Sequence, residues 1–162
     1  MDELKSDMRI HIFETSMRLP SRIDEVFPFF CDVLNLERIT PPELHFHILT
    51  PQPIEIAEGT IVDYRLRLYG FTLRWRSKIT TWDPPYQFVD EQVLGPYYLW
   101  IHTHRLYQEN EATVIEDNVR YRLPLWPLGE LAFPLINYQL RRIFRYRQKA
   151  IAEALLGKFQ AA

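Results

Sequence analysis

The spacing of hydrophobic positions changes twice along this chain and divides it into three parts. In the first part, residues 8–19 alternate hydrophobic and polar side chains with a period of two, which predicts a strand that ends at Pro20. Residues 22–33 then carry hydrophobic side chains at helical spacing, with Ser21 placed to cap the helix and Pro28 expected to shorten or kink it. The first part therefore indicates a strand followed by a helix.

The middle part returns to alternating positions that are interrupted by turn residues. A second short helical turn at 34–40 leads into two prolines, after which Gly and Pro separate the alternating segments. Short turns between consecutive strands are typical of an antiparallel meander. The predicted strands occupy 44–50, 60–69, 71–82, 86–94, 95–108 with its leading Gly-Pro turn, and 113–125.

The last part predicts a long amphipathic helix over residues 134–156. Pro134 is tolerated in a first helical turn, and Gly157 is expected to stop the helix. Basic side chains mostly lie off the hydrophobic stripe, which favours a solvated helix surface over an anionic partner or a membrane. The stripe consists of Ile136, Leu140, Ile143, Phe144, Ala150, Ile151, Ala154 and Leu155, and the basic positions are Arg141, Arg142, Arg145 and Lys149.

This order of elements predicts an α+β fold. One strand, two short helices, a run of antiparallel strands and a long final helix can bury their hydrophobic faces only if the helix covers a curved sheet. Such an arrangement leaves a space between sheet and helix that either side chains or a ligand can fill. We expect residues 1–162 to form one domain, with a core over about 8–156.

Composition excludes several classes of protein. Lys and Arg total 19 against 21 Asp and Glu, so the net charge of -2 gives no reason to expect nucleic-acid binding. Cys31 is the single cysteine, which excludes an intramolecular disulfide and multi-cysteine metal sites and favours the cytoplasm. The sequence shows no signal peptide and no apolar run long enough to cross a bilayer, so we do not expect an integral membrane protein.

The segment 95–108 carries the candidate chemistry. Trp100, His102 and His104 occupy every second position, so the three side chains share one face of a strand. Pairing across the loop after Gln108 sets His104 opposite Asp117. With a three-residue loop at Gly95-Pro96, Asp90 lies opposite His102 and Gln92 opposite Trp100, but a shift of one residue there would swap the faces.

Three interpretations of this cluster remain open. Two histidines and a carboxylate can hold a metal ion, although spacing fixes no third ligand. Alternatively, His102 or His104 acts as a general acid or base, tuned by Asp90 or Asp117. A polar patch that holds the strands in register and offers hydrogen bonds to an apolar ligand explains the same residues with less chemistry, and we favour it; we expect no metal and no cofactor.

Aromatic side chains are the other candidates for a ligand pocket. Trp75, Phe88, Tyr121 and Phe144 stand at strand or helix spacing, where they either line a cavity or fill the core. The segment 123–138 is rich in leucine, proline and aromatic residues, so it is either a lid over the cavity mouth or an apolar linker under the final helix.

Several short motifs together resemble a known family. Trp-Asp-Pro-Pro at 82–85, Phe-x-Asp-x-Gln at 88–92, Gly-Pro-Tyr at 95–97 and Trp-x-His-x-His at 100–104 are similar to START-like (SRPBCC) ligand-binding domains. In particular they resemble a bacterial cell-division-inhibitor-like subgroup related to polyketide cyclase/dehydrase and coenzyme-Q-binding proteins. The resemblance implies a helix-grip (START/birch-pollen-allergen-like) fold, with a cavity between the curved antiparallel sheet and the long C-terminal helix.

The function that follows is the binding or carriage of a small hydrophobic molecule of lipid, quinone, polyketide or isoprenoid type. The expected site comprises Trp75, Phe88, Asp90, Gln92, Trp100, His102, His104, Asp117, Tyr121 and Phe144. A first alternative is a cyclase or dehydratase with His102 or His104 as the catalytic acid or base. A second alternative is an interaction module that forms a homodimer.

Overall fold

The computed structural model describes residues 9–159, in which seven strands and three helices follow the predicted order. Two 3-10 turns, Pro42–Leu44 and Leu128–Ala132, join them. The strands are β1 His11–Leu19, β2 His47–Ile48, β3 Ile61–Leu68, β4 Phe71–Asp83, β5 Gln87–Leu94, β6 Leu99–Glu109 and β7 Ala112–Arg122, and the helices are α1 Ile23–Cys31, α2 Leu34–Arg38 and α3 Phe133–Phe159.

All seven strands form one antiparallel sheet in the order β1-β7-β6-β5-β4-β3-β2. The meander from β2 to β7 follows from its short turns. Tyr69 and Gly70, which join β3 to β4, have φ of 51° and 84°, the left-handed pair that suits a two-residue hairpin. β1 closes the other edge by pairing with β7, where His11 lies opposite Tyr121.

Among the boundaries that differ from the sequence predictions, those of β1, α1, β2 and α3 are the most informative. β1 begins at His11, and Met8 lies outside the described residues. The cap of α1 is Arg22 rather than Ser21. The Arg22 N–H donates to the Glu25 carboxylate, whereas Ser21 is buried and its carbonyl accepts a hydrogen bond from Thr113. Ser21 has the residue type of a cap, but its backbone joins α1 to the sheet instead.

The other two corrections concern β2 and α3. The segment 44–50 contributes only the two residues of β2, because it begins in a 3-10 turn and His45 has a φ of 43°, which interrupts an extended backbone. The final helix does not stop at Gly157 but continues to Phe159. Pro28 lies inside α1, which runs on through it to Cys31.

Two hydrophobic clusters lie between the concave face of the sheet and α3. The first surrounds α1 and contains Leu19, Val26, Phe27, Phe29, Leu106, Ile115, Ile151 and Leu155. The second contains Phe13, Leu66, Trp75, Trp100, Val119, Tyr121, Leu140 and Phe144. α3 contributes to both clusters, as its amphipathic pattern predicts.

Candidate functional site

A cavity of about 210 Å³ separates the sheet from α3. Its walls come from β3 to β7, from the α1–α2 region and from one face of α3, and most of them are apolar. Apolar wall residues include Phe29, Leu36, Ile39, Val62, Leu66, Trp75, Ile79, Phe88, Trp100, Leu140, Phe144 and Ile151. The space that the element order left open is therefore a cavity in this protein.

The predicted register around the two histidines is confirmed. Asp90 lies opposite His102 across β5 and β6, and Asp117 lies opposite His104 across β6 and β7. Since alternate residues of a strand share a face, both aspartates and both histidines lie on the cavity side. Trp100 lies on the same wall one step further along β6.

These four side chains form a closed ring of contacts, here called the Asp–His ring. His102 Nε2 lies 2.9 Å from Asp117 Oδ1, and His104 Nε2 lies 3.2 Å from Asp90 Oδ2, both with hydrogen-bond geometry. The remaining nitrogens complete the ring at ion-pair distance, 3.0 Å from His104 Nδ1 to Asp117 Oδ1 and 3.5 Å from His102 Nδ1 to Asp90 Oδ2. Each aspartate therefore touches both imidazoles.

Aromatic contacts fix the plane of the second imidazole. The His104 ring stacks on Phe88 with centroids 4.1 Å apart, and its centroid is 3.7 Å from that of His102. His102 in turn meets the edge of Phe144 on α3 at 5.4 Å. The Asp–His ring is thus held between the sheet and the helix.

The two histidines differ in protonation. Burial by itself lowers the pKa of His104, but its contacts with Asp117 and Asp90 outweigh burial and raise that pKa to about 9. For His102, burial and the neighbouring His104 charge lower the pKa. Burial opposes ionisation of both aspartates, yet the histidines hold the pKa values of Asp90 and Asp117 below the ordinary value. At neutral pH the ring holds two carboxylates, one imidazolium and one neutral imidazole.

A hydroxyl relay extends the Asp–His ring along β4. Ser77 Oγ lies 3.4 Å from Asp90 Oδ1 and accepts a hydrogen bond from Trp75 Nε1 at 3.1 Å. Tyr64 Oη lies 3.2 Å from the same Ser77 oxygen. Burial raises the pKa of Tyr64, so its phenol stays protonated. The sequence reasoning did not include Ser77 and Tyr64. Each stands two positions from buried hydrophobic residues on its strand, so it shares the face that meets the cavity.

Arg147 is the other residue that sequence reasoning missed. It lies on α3 and forms part of the cavity wall beside Phe144. Its position was readable, because residues 140, 144, 147 and 151 follow one another in steps of four, three and four along one helix face. The basic character of the helix concealed it among arginines that face solvent.

Two of the ten expected site residues lie elsewhere. The β5–β6 pairing ends at Glu91 and Ile101, so Gln92 does not pair with Trp100; its side chain instead donates to and accepts from the backbone of Tyr97. Tyr121 is buried behind the wall, against His11 and Trp100. The other eight, Trp75, Phe88, Asp90, Trp100, His102, His104, Asp117 and Phe144, line the cavity.

The segment 123–138 is a largely exposed linker as far as residue 132, and from Phe133 onward it belongs to α3. Its residues do not border the cavity, and only Leu123 of its leucines is buried. Leu125, Leu128 and Leu131 are 80%, 72% and 83% exposed. The prolines and the 3-10 turn Leu128–Ala132 direct these side chains to the surface, which the hydrophobic count alone could not indicate.

A metal site has one candidate among residues 9–159. Asp90, His102 and His104 place one ligand atom each within 4.8 Å of one another. In the structure these atoms contact one another as ion pairs, although His104 Nδ1 has no partner with hydrogen-bond geometry. The two carboxylates exceed the single imidazolium by one charge, which is compatible with the metal interpretation as well.

Comparison with known proteins supports the fold. No family model and no curated protein matches the sequence. Among solved structures, the protein TTHA0849 from Thermus thermophilus superposes with a TM-score of 0.73 at 15% identity, covering 91% of this chain and 99% of its own. The Zhui aromatase/cyclase from Streptomyces sp. R1128 gives 0.72 at 17% identity, covering 91% and 94%.

Norcoclaurine synthase from Thalictrum flavum, solved in complex with dopamine and hydroxybenzaldehyde, gives a TM-score of 0.70 at 14% identity and covers 94% of this chain and 90% of its own. Together these structures show that the chain has a helix-grip fold, in which a curved antiparallel sheet packs around the long final helix. Within residues 9–159, no helix is long and apolar enough to span a membrane.

Proposed function

We propose that this protein binds a small hydrophobic molecule in the cavity between its sheet and α3. The observation that carries the proposal is the apolar cavity itself, which has one polar wall formed by the Asp–His ring. Pockets of this kind take affinity from apolar burial and orientation from a few polar groups. Carriage of a lipid, quinone, polyketide or isoprenoid in the cytoplasm is the form of this function that we favour.

The experiment that tests binding is native mass spectrometry of the purified protein, followed by denaturing extraction of what it releases. We expect an apolar molecule at up to one per chain. The Val62→Phe variant, which adds a ring to the cavity wall, should lose that molecule. Val93→Phe is the matched control, because Val93 is 60% exposed on β5 and does not line the cavity. Equal loading of both variants would contradict the proposal.

The Asp–His ring supports one second candidate, an enzyme of the cyclase or dehydratase type. The cavity wall presents a protonated His104 beside a neutral His102. A protonated imidazole can act as a general acid and a neutral one as a general base. The Zhui aromatase/cyclase shares the fold. If the protein is such an enzyme, His104→Gln should retain binding but release an unreacted substrate that differs in mass from the molecule released by the wild type.

The exposed leucines of 123–138 favour the third candidate, an interaction module that forms a homodimer. Light scattering of the wild type and of Leu131→Glu separates this candidate from the others. A dimer that dissociates in the variant would support it, whereas a monomer in both cases would exclude self-association through this surface.

A further inference from the structure

Arg147 is the one arginine of α3 that the cavity wall includes. The helix presents Leu140, Phe144 and Ile151 to the same cavity, and Arg147 falls on this face. Arg141 and Arg145 are exposed, and Arg142 pairs with Glu43 at the surface. The helix period therefore places Arg147 on the cavity side of α3, whereas the three other arginines named above lie at the surface.

Among residues 9–159, the guanidinium of Arg147 has no partner at hydrogen-bond or ion-pair distance. Its Nε is buried without a hydrogen-bond acceptor. Its Cζ lies 5.5 Å from the centroid of the Phe144 ring. A guanidinium carries five N–H donors, and an unpaired buried charge is strongly unfavourable. The arrangement calls for an acceptor in the cavity.

The aspartates cannot supply that acceptor, because the histidines already engage them. Asp90 and Asp117 act on Arg147 through space, but their contacts in the Asp–His ring are with His102 and His104. The two carboxylates exceed the His104 imidazolium by one charge, and only Arg147, acting at longer range, brings the sum over these four ionised groups to zero. A ligand carboxylate against Arg147 would therefore add one net negative charge to the cavity, which its direct hydrogen bonds to the guanidinium must outweigh.

Cavity size limits the rest of the ligand. An engineered cavity of about 150 Å³ holds benzene, so the cavity of about 210 Å³ here suits a body of one or two rings. Phe88, Trp100 and Phe144 line it with aromatic surface. Arg147 and the aromatic wall together describe an amphiphile with a compact apolar body and one anionic end.

We propose that the ligand is a small aromatic or isoprenoid carboxylic acid, whose carboxylate accepts two parallel hydrogen bonds from the Arg147 guanidinium while its body fills the apolar part of the cavity. This inference rests on the proposed binding function. A carboxylate matches the planar fork of arginine in both geometry and charge, and such bidentate pairs are the strong ones in a site that excludes water.

The test uses two probes of nearly equal shape, 2-naphthoate and 2-naphthamide, titrated into the wild type by calorimetry. We expect the acid to bind at least roughly tenfold more tightly than the amide, because charge-assisted bidentate hydrogen bonds are about twice as strong as neutral ones. In Arg147→Met, which keeps an apolar stem against Phe144, the preference for the acid should disappear while the amide binds as before.

Two further variants keep the outcome interpretable. Arg145→Met removes an exposed arginine from the same helix and should behave as the wild type. Arg147→Lys keeps the charge but not the fork, so it should show an intermediate preference even if Arg147→Met fails to fold. Equal binding of acid and amide by the wild type would overturn the carboxylate inference alone, whereas binding of neither probe would also overturn the proposed cavity function.

Discussion

At the scale of single residues, the Asp–His ring is a group of charges that depend on one another. Each aspartate is buried and would be costly to ionise alone, and each histidine contacts both aspartates. Removing His104 or either aspartate changes the net charge of a cavity wall. The ring therefore contributes to the stability of the fold as well as to the polarity of the site.

The raised pKa of His104 makes folding depend on pH. Because the folded-state value of about 9 exceeds the ordinary 6.5, the stabilisation is complete below pH 6.5 and is lost as the pH rises through about 9. The loss should reach about 3 kcal/mol in the free energy of unfolding. Urea denaturation at a series of pH values across this range measures the loss, and His104→Gln should lack the His104 contribution. If the free energy of unfolding changed with pH in the same way in both proteins, the assignment to His104 would be contradicted.

Asp117 should be the most sensitive member of the ring to substitution. Asp117→Asn removes the negative charge that contacts both imidazoles and leaves the His104 imidazolium with Asp90 alone. We expect a loss of about 3–5 kcal/mol, the range for breaking a buried ion pair. Asp83→Asn, at an exposed end of β4, is the matched control and should change the unfolding midpoint little.

The sequence predicted the ring and the aromatic cavity wall around it, but it misplaced Gln92 and missed Arg147. In a hairpin without a bulge, the residue numbers of paired positions add to the same value all along the two strands. This rule alone placed Asp117 opposite His104. Gln92 did not follow the same argument because the β5–β6 ladder ends one residue earlier, where its amide bonds the backbone of Tyr97. Arg147 was readable from its helical spacing with Leu140, Phe144 and Ile151, but the other arginines of α3 concealed it.

At the scale of elements, two glycines show how backbone conformation determines the effect of an alanine substitution on stability. Gly157 and Gly70 both have open space where a Cβ would stand, but only Gly70 has a positive φ, of 84°. Gly157 lies inside α3, where alanine is the better helix former. An added Cβ therefore has room at both sites. Backbone conformation alone should decide whether alanine stabilises or destabilises the protein at each of them.

We expect Gly157→Ala to stabilise the protein by up to about 1 kcal/mol and Gly70→Ala to destabilise it by a similar amount. Thermal and urea unfolding of the two single variants measure both effects. Stabilisation by Gly70→Ala would contradict the left-handed turn between β3 and β4, and destabilisation by Gly157→Ala would contradict a helix that continues past this position.

The elements also show where local sequence signals compete. Glycine often follows the last helical turn, so Gly157 predicts a stop, yet the apolar contacts of Ile151 and Leu155 hold this part of α3 on the sheet. Ser21 has the residue type of a cap, but its carbonyl accepts the hydrogen bond from Thr113. In both cases tertiary contacts override a local preference.

At the scale of the whole molecule, the order of elements was enough to predict an α+β fold with the last helix on a curved sheet, and the resemblance to START-like domains implied the helix-grip architecture. The alternating segments indicated the meander, and the amphipathic stripe of α3 required a sheet to cover. Whether the enclosed space is filled or open could not be predicted, since the same aromatic residues serve either purpose. The exposure of Leu125, Leu128 and Leu131 was also unpredictable, because composition does not show which way a proline-rich turn faces.

The position of β1 has a consequence for how the chain reaches this structure. β6 and β7 form a tight hairpin and can associate as soon as both are made, whereas β1 is made first and must wait for β7, about 100 residues later in the sequence. Closing so long a loop is entropically unfavourable until the rest of the sheet is in place. In pulse-labelled hydrogen exchange during refolding, amides of β1 should therefore gain protection after those of β6, so that the first strand of the chain is the last to be secured.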